Sequence, residues 1–157
     1  MFAYRTVNFG SLLSLFGYYF FYGFLLRKST RDGLPSWLAA ILMASTILWL
    51  SAEAATAGDG PSDAINLSVL WDVVTQTDFG KAWLAQMLTA IIILILTFGS
   101  TAPKFLALTI VTSLGLGALG FTGPAVMLGG TWAWALPWLL ALHLRSWCCG
   151  IAVVLAL

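Results

Sequence analysis

Five windows of about 20 mainly apolar residues dominate this chain, and each is long enough to cross a bilayer as a helix. They fall near residues 7–26, 37–57, 82–99, 105–122 and 136–157. The runs are continuous and do not alternate apolar with polar at every second residue, so helices are expected rather than a barrel. Only 8% of the 157 residues are charged, too few to coat a water-soluble surface, whereas soluble domains carry roughly 25%. The fold expected is therefore all-α: a polytopic membrane helical bundle with about five transmembrane helices, forming a single domain over residues 1–157.

The loops orient the bundle. Arg27, Lys28 and Arg31 stand between the first two windows, and Lys104 between the third and fourth. Asp59, Asp63, Asp72 and Asp78 crowd the connection between the second and third. The positive-inside rule then puts the N-terminus outside and the C-terminus inside. Arg5 and Lys81 run against that bias. Within the acidic connection, Ile65, Val69, Leu70 and Val73 recur at helical spacing, which predicts a short helix over about 63–76 lying on the outer surface. Ser62 or Asp63 would cap its start, and Trp71 would anchor it at the interface. The fifth window ends at Leu157 with no basic stop or polar tail, so the chain is expected to be truncated or finished by a partner.

Several classes are disfavoured. A net charge of +1 offers no basic field for nucleic acid. The adjacent Cys148 and Cys149 cannot supply a disulfide framework. No enzyme is expected, because there is no Ser-His-acid order, phosphate loop or metal-ligand cluster. Bis-imidazole haem ligation needs two histidines and the chain has one, so no haem is expected from this chain alone.

Three stretches carry a resemblance. The run Leu70-Trp71-Asp72-Val73-Val74-Thr75-Gln76-Thr77-Asp78-Phe79-Gly80-Lys81-Ala82-Trp83 enters the third window; Trp49-Leu50-Ser51-Ala52-Glu53-Ala54-Ala55-Thr56-Ala57-Gly58 closes the second; Ala141-Leu142-His143-Leu144, Trp147 and Gly150 lie in the fifth. In order and spacing these are similar to the copper resistance protein D (CopD) family of bacterial inner-membrane proteins. The resemblance implies copper uptake or transfer at the inner membrane, with a copper ion as cargo and a periplasmic copper carrier or other membrane subunits as partners besides the lipid bilayer. The chain departs from the family where Gly123-Pro124-Ala125 replaces a frequent Gly-His-Ala, and where Arg145 stands between His143 and Trp147. Those departures favour an alternative, a structural or assembly subunit of a larger membrane complex that reuses the same helices without metal.

The candidate site residues follow from chemistry and from that resemblance. His143 is the sole imidazole, placed about 10 Å into the fifth window at ~1.5 Å per residue. Imidazole suits copper and can relay protons, against a plain reading as a hydrogen-bonded interhelical histidine. Met127, in the outer loop near the mouth of that window, is the most accessible soft sulfur. Met43, Met87, Cys148 and Cys149 read as packing residues. Glu53, near the outer end of the second window, is costly there unless paired or hydrated; it is expected to form an ion pair with Arg145 or to gate a cation. Ser113, Gly117 and Gly120 mark a small-residue face of the fourth window for close helix packing. In the first window, Tyr18 and Tyr22 share one face of an aromatic run.

Overall fold

The computed structural model describes residues 2–25, 33–98, 104–120 and residue 146. Helix α1 spans Phe2–Phe20 and continues as a π-helical turn over Phe21–Leu25; α2 spans Leu34–Ala57, α3 Leu67–Gln76, α4 Asp78–Phe98 and α5 Lys104–Gly120. A 3₁₀ turn, Pro61–Ile65, precedes α3, and no strand occurs among the described residues. Apart from residue 146, the expected fifth window lies outside them.

Helices α1, α2, α4 and α5 form a ring in which each touches the two beside it: α1 packs on α2 and α5, and α4 packs on α2 and α5. Side-chain contacts fix their directions. Asn8 of α1 and Trp83 of α4 both bond to Thr46 of α2, while Tyr19 of α1 reaches Thr97 of α4 and Phe105 of α5. Thus α1 and α4 run one way, and α2 and α5 run the other. Helix α3 lies across the end where α2 finishes and α4 begins, touching both.

The ring is built inside-out relative to a soluble bundle. Leu12, Leu15, Leu42, Ala90 and Ile93 fill its centre with no exposure, yet Asn8, Thr46, Gln86 and Thr112 are buried there as well. Trp37, Ile41, Leu48, Leu84, Leu88, Ile95, Ile110 and Leu114 instead face outward. Large apolar side chains outside with amides and hydroxyls inside are what a hydrocarbon solvent selects. Leu34–Ala57 and Asp78–Phe98 are the two helices long and apolar enough to cross a membrane among the described residues, and Phe105–Leu119 is a shorter apolar stretch. The protein is an all-α membrane helical protein, as its sequence predicts.

Local chemistry sets the element boundaries. Pro35 sits in the first turn of α2, where its missing N–H costs no bond. At the other end, Gly58 N–H closes on Ala54 O at 2.9 Å, and Gly60 turns the chain with φ +151°, a conformation that disfavours any side chain. That turn delays the surface helix. Its cap is Asn66, whose Oδ1 accepts from Ser68 N–H at 3.1 Å, rather than Ser62 or Asp63. Asp63 instead accepts from Asp59 N–H at 2.7 Å and from Asn66 Nδ2 at 3.3 Å, fastening the turn. The helix is therefore shorter at its start than the expected 63–76. Along α3, Val73 is buried while Leu67 and Trp71 on the opposite face are exposed.

Helix α4 begins at Asp78, four residues before the hydropathy window at 82, because Asp78 and Lys81 in its first turn are charged and exposed and lower the window's mean hydropathy. There Lys81 Nζ meets Asp78 Oδ1 at 2.8 Å. The hydroxyl of Thr77 joins α3 to α4, donating to Val73 O at 2.6 Å and accepting from Gly80 N–H at 2.9 Å. A Cβ on Gly80 would strike the carbonyls of Val73 and Val74, so only glycine lets α4 start this close to the end of α3. Within the ring, Ser11, Thr89, Thr109 and Thr112 return their hydroxyl protons to carbonyls one turn earlier, which satisfies them without a neighbouring helix.

Candidate functional site

The polar residues of the ring gather in its α3 half, where three helices each contribute one face. Helix α1 presents Arg5 and Asn8, one turn apart. Helix α2 presents Thr46, Trp49 and Glu53, spaced three and four residues apart. Helix α4 presents Phe79, Trp83 and Gln86. The centre is an amide–hydroxyl junction. Asn8 Nδ2 donates to Thr46 Oγ1 at 2.7 Å and more weakly to Ser45 Oγ at 3.4 Å, while Asn8 Oδ1 accepts from Gln86 Nε2 at 3.3 Å. Thr46 Oγ1 passes its own proton to Leu42 O at 2.7 Å. The carbonyl of Thr46 accepts from Trp83 Nε1 at 2.8 Å. One residue of α2 therefore ties both α1 and α4.

Toward the α3 end the junction is roofed by aromatic rings. Trp49 lies edge-on to Phe79 at 5.3 Å between centroids, and the Arg5 guanidinium lies 5.8 Å from the centroid of Trp49. The sequence run Phe79-Gly80-x-x-Trp83 thus has a structural logic. Its Phe meets Trp49, its Gly clears the α3 carbonyls and its Trp bonds to α2. Toward the opposite end, Leu12, Leu42, Ala90 and Ile93 close the ring with apolar side chains that water does not reach.

Three buried polar atoms in this half have no hydrogen-bond partner among the described residues: Trp49 Nε1, Glu53 Oε2 and Gln86 Oε1. Such atoms are rare in folded proteins, and rarer still at membrane depth.

Of the residues singled out from sequence, Glu53 takes its place in this half. It lies on the last full turn of α2, half-buried, and among the described residues Arg5 places a positive charge near its carboxylate. The partner expected for it, Arg145, lies outside the described residues, as do the metal-ligand candidates His143 and Met127 and the thiols Cys148 and Cys149. Ser113 is half-buried and Gly117 buried on α5, while Gly120 is its last residue. Within α5 the close approach to α1 and α4 falls at Gly115. A Cβ there would stand 2.7 Å from Thr89 Cγ2 and 3.2 Å from Leu12 Cδ2. Tyr18 and Tyr22 share a face as expected, their ring centroids 4.5 Å apart. Met43 and Met87 are half-buried; Met43 packs against the apolar core.

Sequence reasoning does not single out Asn8, Thr46 or Gln86. The available signal is an amide inside an apolar window, which in a membrane helix points inward by default. The junction offers amides, hydroxyls, indoles, one carboxylate and one guanidinium, a set suited to polar binding and orientation. Among the described residues no three His, Cys, Asp or Glu side chains lie close enough together to hold a metal ion.

Fold and site together define an all-α helical membrane protein in which buried amides and hydroxyls join three helices in one half of the ring. The sequence matches the family described as copper resistance protein D-like, N-terminal domain, over residues 1–134. This chain belongs to that family, a family of copper-resistance membrane proteins. The matched residues include both the Trp49–Gly58 and the Thr77–Trp83 stretches, and end before His143. Neither a curated protein nor a solved structure matches the chain.

Proposed function

We propose that this protein takes up or hands on copper at the bacterial inner membrane, as a multi-pass protein with its N-terminus and α3 on the outer side and its C-terminus inside. The observation that carries this reading is the family match over residues 1–134. The positive-inside bias of the loops supports the orientation, since Arg27, Lys28, Arg31 and Lys104 fall on one side and the aspartates around α3 on the other.

In this reading copper is the cargo and moves by ligand exchange, with no covalent chemistry. His143 offers a borderline imidazole and Met127 a soft thioether, the donor types that exchange copper readily. Glu53, at the α3 end, meets the ion first, with Arg145 or Arg5 balancing its charge when no cation is present. Ser113, Gly117 and Gly120 give α5 a face of small residues on which a neighbouring helix seats closely. The partners are the lipid bilayer and a periplasmic copper carrier or other membrane subunits.

The test is metal analysis of untagged, detergent-purified protein, wild type beside His143→Ala. Copper handling predicts about one copper per chain in the wild type and its loss in the variant. Metal-free protein in both preparations, with other subunits co-eluting, would replace this reading with that of a structural subunit.

A further inference from the structure

We propose that the α3 half of the helix ring binds a short file of water molecules that runs from the Arg5–Glu53 end inward and stops at Gln86. This inference rests on the junction geometry alone and is independent of the copper reading.

The chemistry of the three unpartnered atoms selects the ligand. Glu53 Oε2 and Gln86 Oε1 are acceptors, and Trp49 Nε1 is a donor. Trp49 and Gln86 are each 1% exposed, so bulk solvent does not satisfy them from the surface. A metal ion would serve the two acceptors and be repelled by the indole N–H; an anion would serve the indole and be repelled by the two oxygens. Water both donates and accepts, so one ligand type satisfies all three, and each buried water needs two to four polar partners of the kind present here. Ser45 Oγ donates to Leu42 O at 2.9 Å and accepts only a long 3.4 Å contact from Asn8 Nδ2, which leaves it able to accept from a water.

Position sets the ends of the file. Glu53 and Trp49 stand one turn apart on α2, below Arg5. Thr46 lies a further turn inward and is tied through Asn8 to Gln86. Beyond Gln86, Leu12, Leu42, Ala90 and Ile93 sit at zero exposure and carry no polar side-chain atom, and the deeper hydroxyls of Thr112 and of the Tyr19–Thr97 pair are already hydrogen-bonded. Among the described residues, the polar groups therefore run from the α3 end to the level of Gln86 and give way there to apolar side chains. A hydrated cation or a proton reaching the α3 end would find a polar route to the level of Gln86 and an apolar barrier behind it.

The test is thiol accessibility in the detergent-purified full chain, with Cys148 and Cys149 replaced by alanine. Single cysteines are placed at Ser45→Cys and Gln86→Cys, with Leu42→Cys and Ile93→Cys as comparators, and the probe is a charged methanethiosulfonate. Reaction at positions 45 and 86 at least about tenfold faster than at 42 and 93 is expected, because a thiol ionises and meets a charged reagent only where water reaches it. Equal, slow reaction at all four positions would overturn the proposal. If the cysteine variants fail to fold, hydroxyl-radical footprinting of the unsubstituted protein decides. Oxidation of Trp49 with protection of Phe16 supports the water file, and equal protection of the two buried aromatic rings overturns it.

Discussion

The two halves of the helix ring are joined by different forces. In the α3 half, α1, α2 and α4 meet through directional bonds among Asn8, Thr46, Trp83 and Gln86. In the other half, Leu12, Leu15, Leu42, Ile93, Leu108 and Leu116 interlock, with the Tyr19 and Thr97 hydroxyls hydrogen-bonded at 2.8 Å. Hydrocarbon solvent gives apolar packing no water-driven advantage, so the apolar half is held by close contact, and the polar half by hydrogen bonds that fix which residues face each other. Most stability therefore belongs to one half and most of the register to the other.

Four substitutions test that division. Leu42→Ala removes a fully buried side chain from the packed half and is expected to cost about 3 kcal/mol, measured by SDS unfolding in mixed micelles. Gly80→Ala forces a Cβ against the carbonyls of Val73 and Val74, so α3 must shift; about 2 kcal/mol is expected, together with faster proteolysis in the α3–α4 connection. Asn8→Ala breaks the junction and strips Gln86 of its remaining bond, at about 1–2 kcal/mol, the upper part of the range for interhelical bonds in membranes. Its larger signature is a loss of register between α1 and α2, read as weakened cross-linking of an introduced cysteine pair. Thr97→Val removes the tie to Tyr19 and should cost only about 0.6 kcal/mol. A reversed order, with Asn8→Ala costing more than Leu42→Ala, would show that the polar junction carries stability as well as register.

The sequence made the helices legible because window hydropathy measures length and apolarity, the two properties a bilayer demands. It placed α2, α4 and α5 within a few residues. The error at α3 has a local cause: Gly60 turns the chain at positive φ and Asp63 fastens that turn, so the cap falls to Asn66. The polar junction escaped for a different reason. Window averages dilute a lone Asn8 or Gln86, and their pairing depends on the register of α1 and α4, parallel helices far apart in the chain. The same holds for Arg5 and Glu53, 48 residues apart and brought to one end only by the ring. The stretches that carry the family resemblance, by contrast, contain Trp49, Phe79, Gly80 and Trp83, which help join α2, α3 and α4.

The most direct test of the central functional claim is copper accumulation by cells producing this protein, compared with cells producing His143→Ala at equal membrane abundance. The copper-handling account predicts higher cell-associated copper with the wild type and a return to background with the variant. Equal copper in the two strains would contradict it.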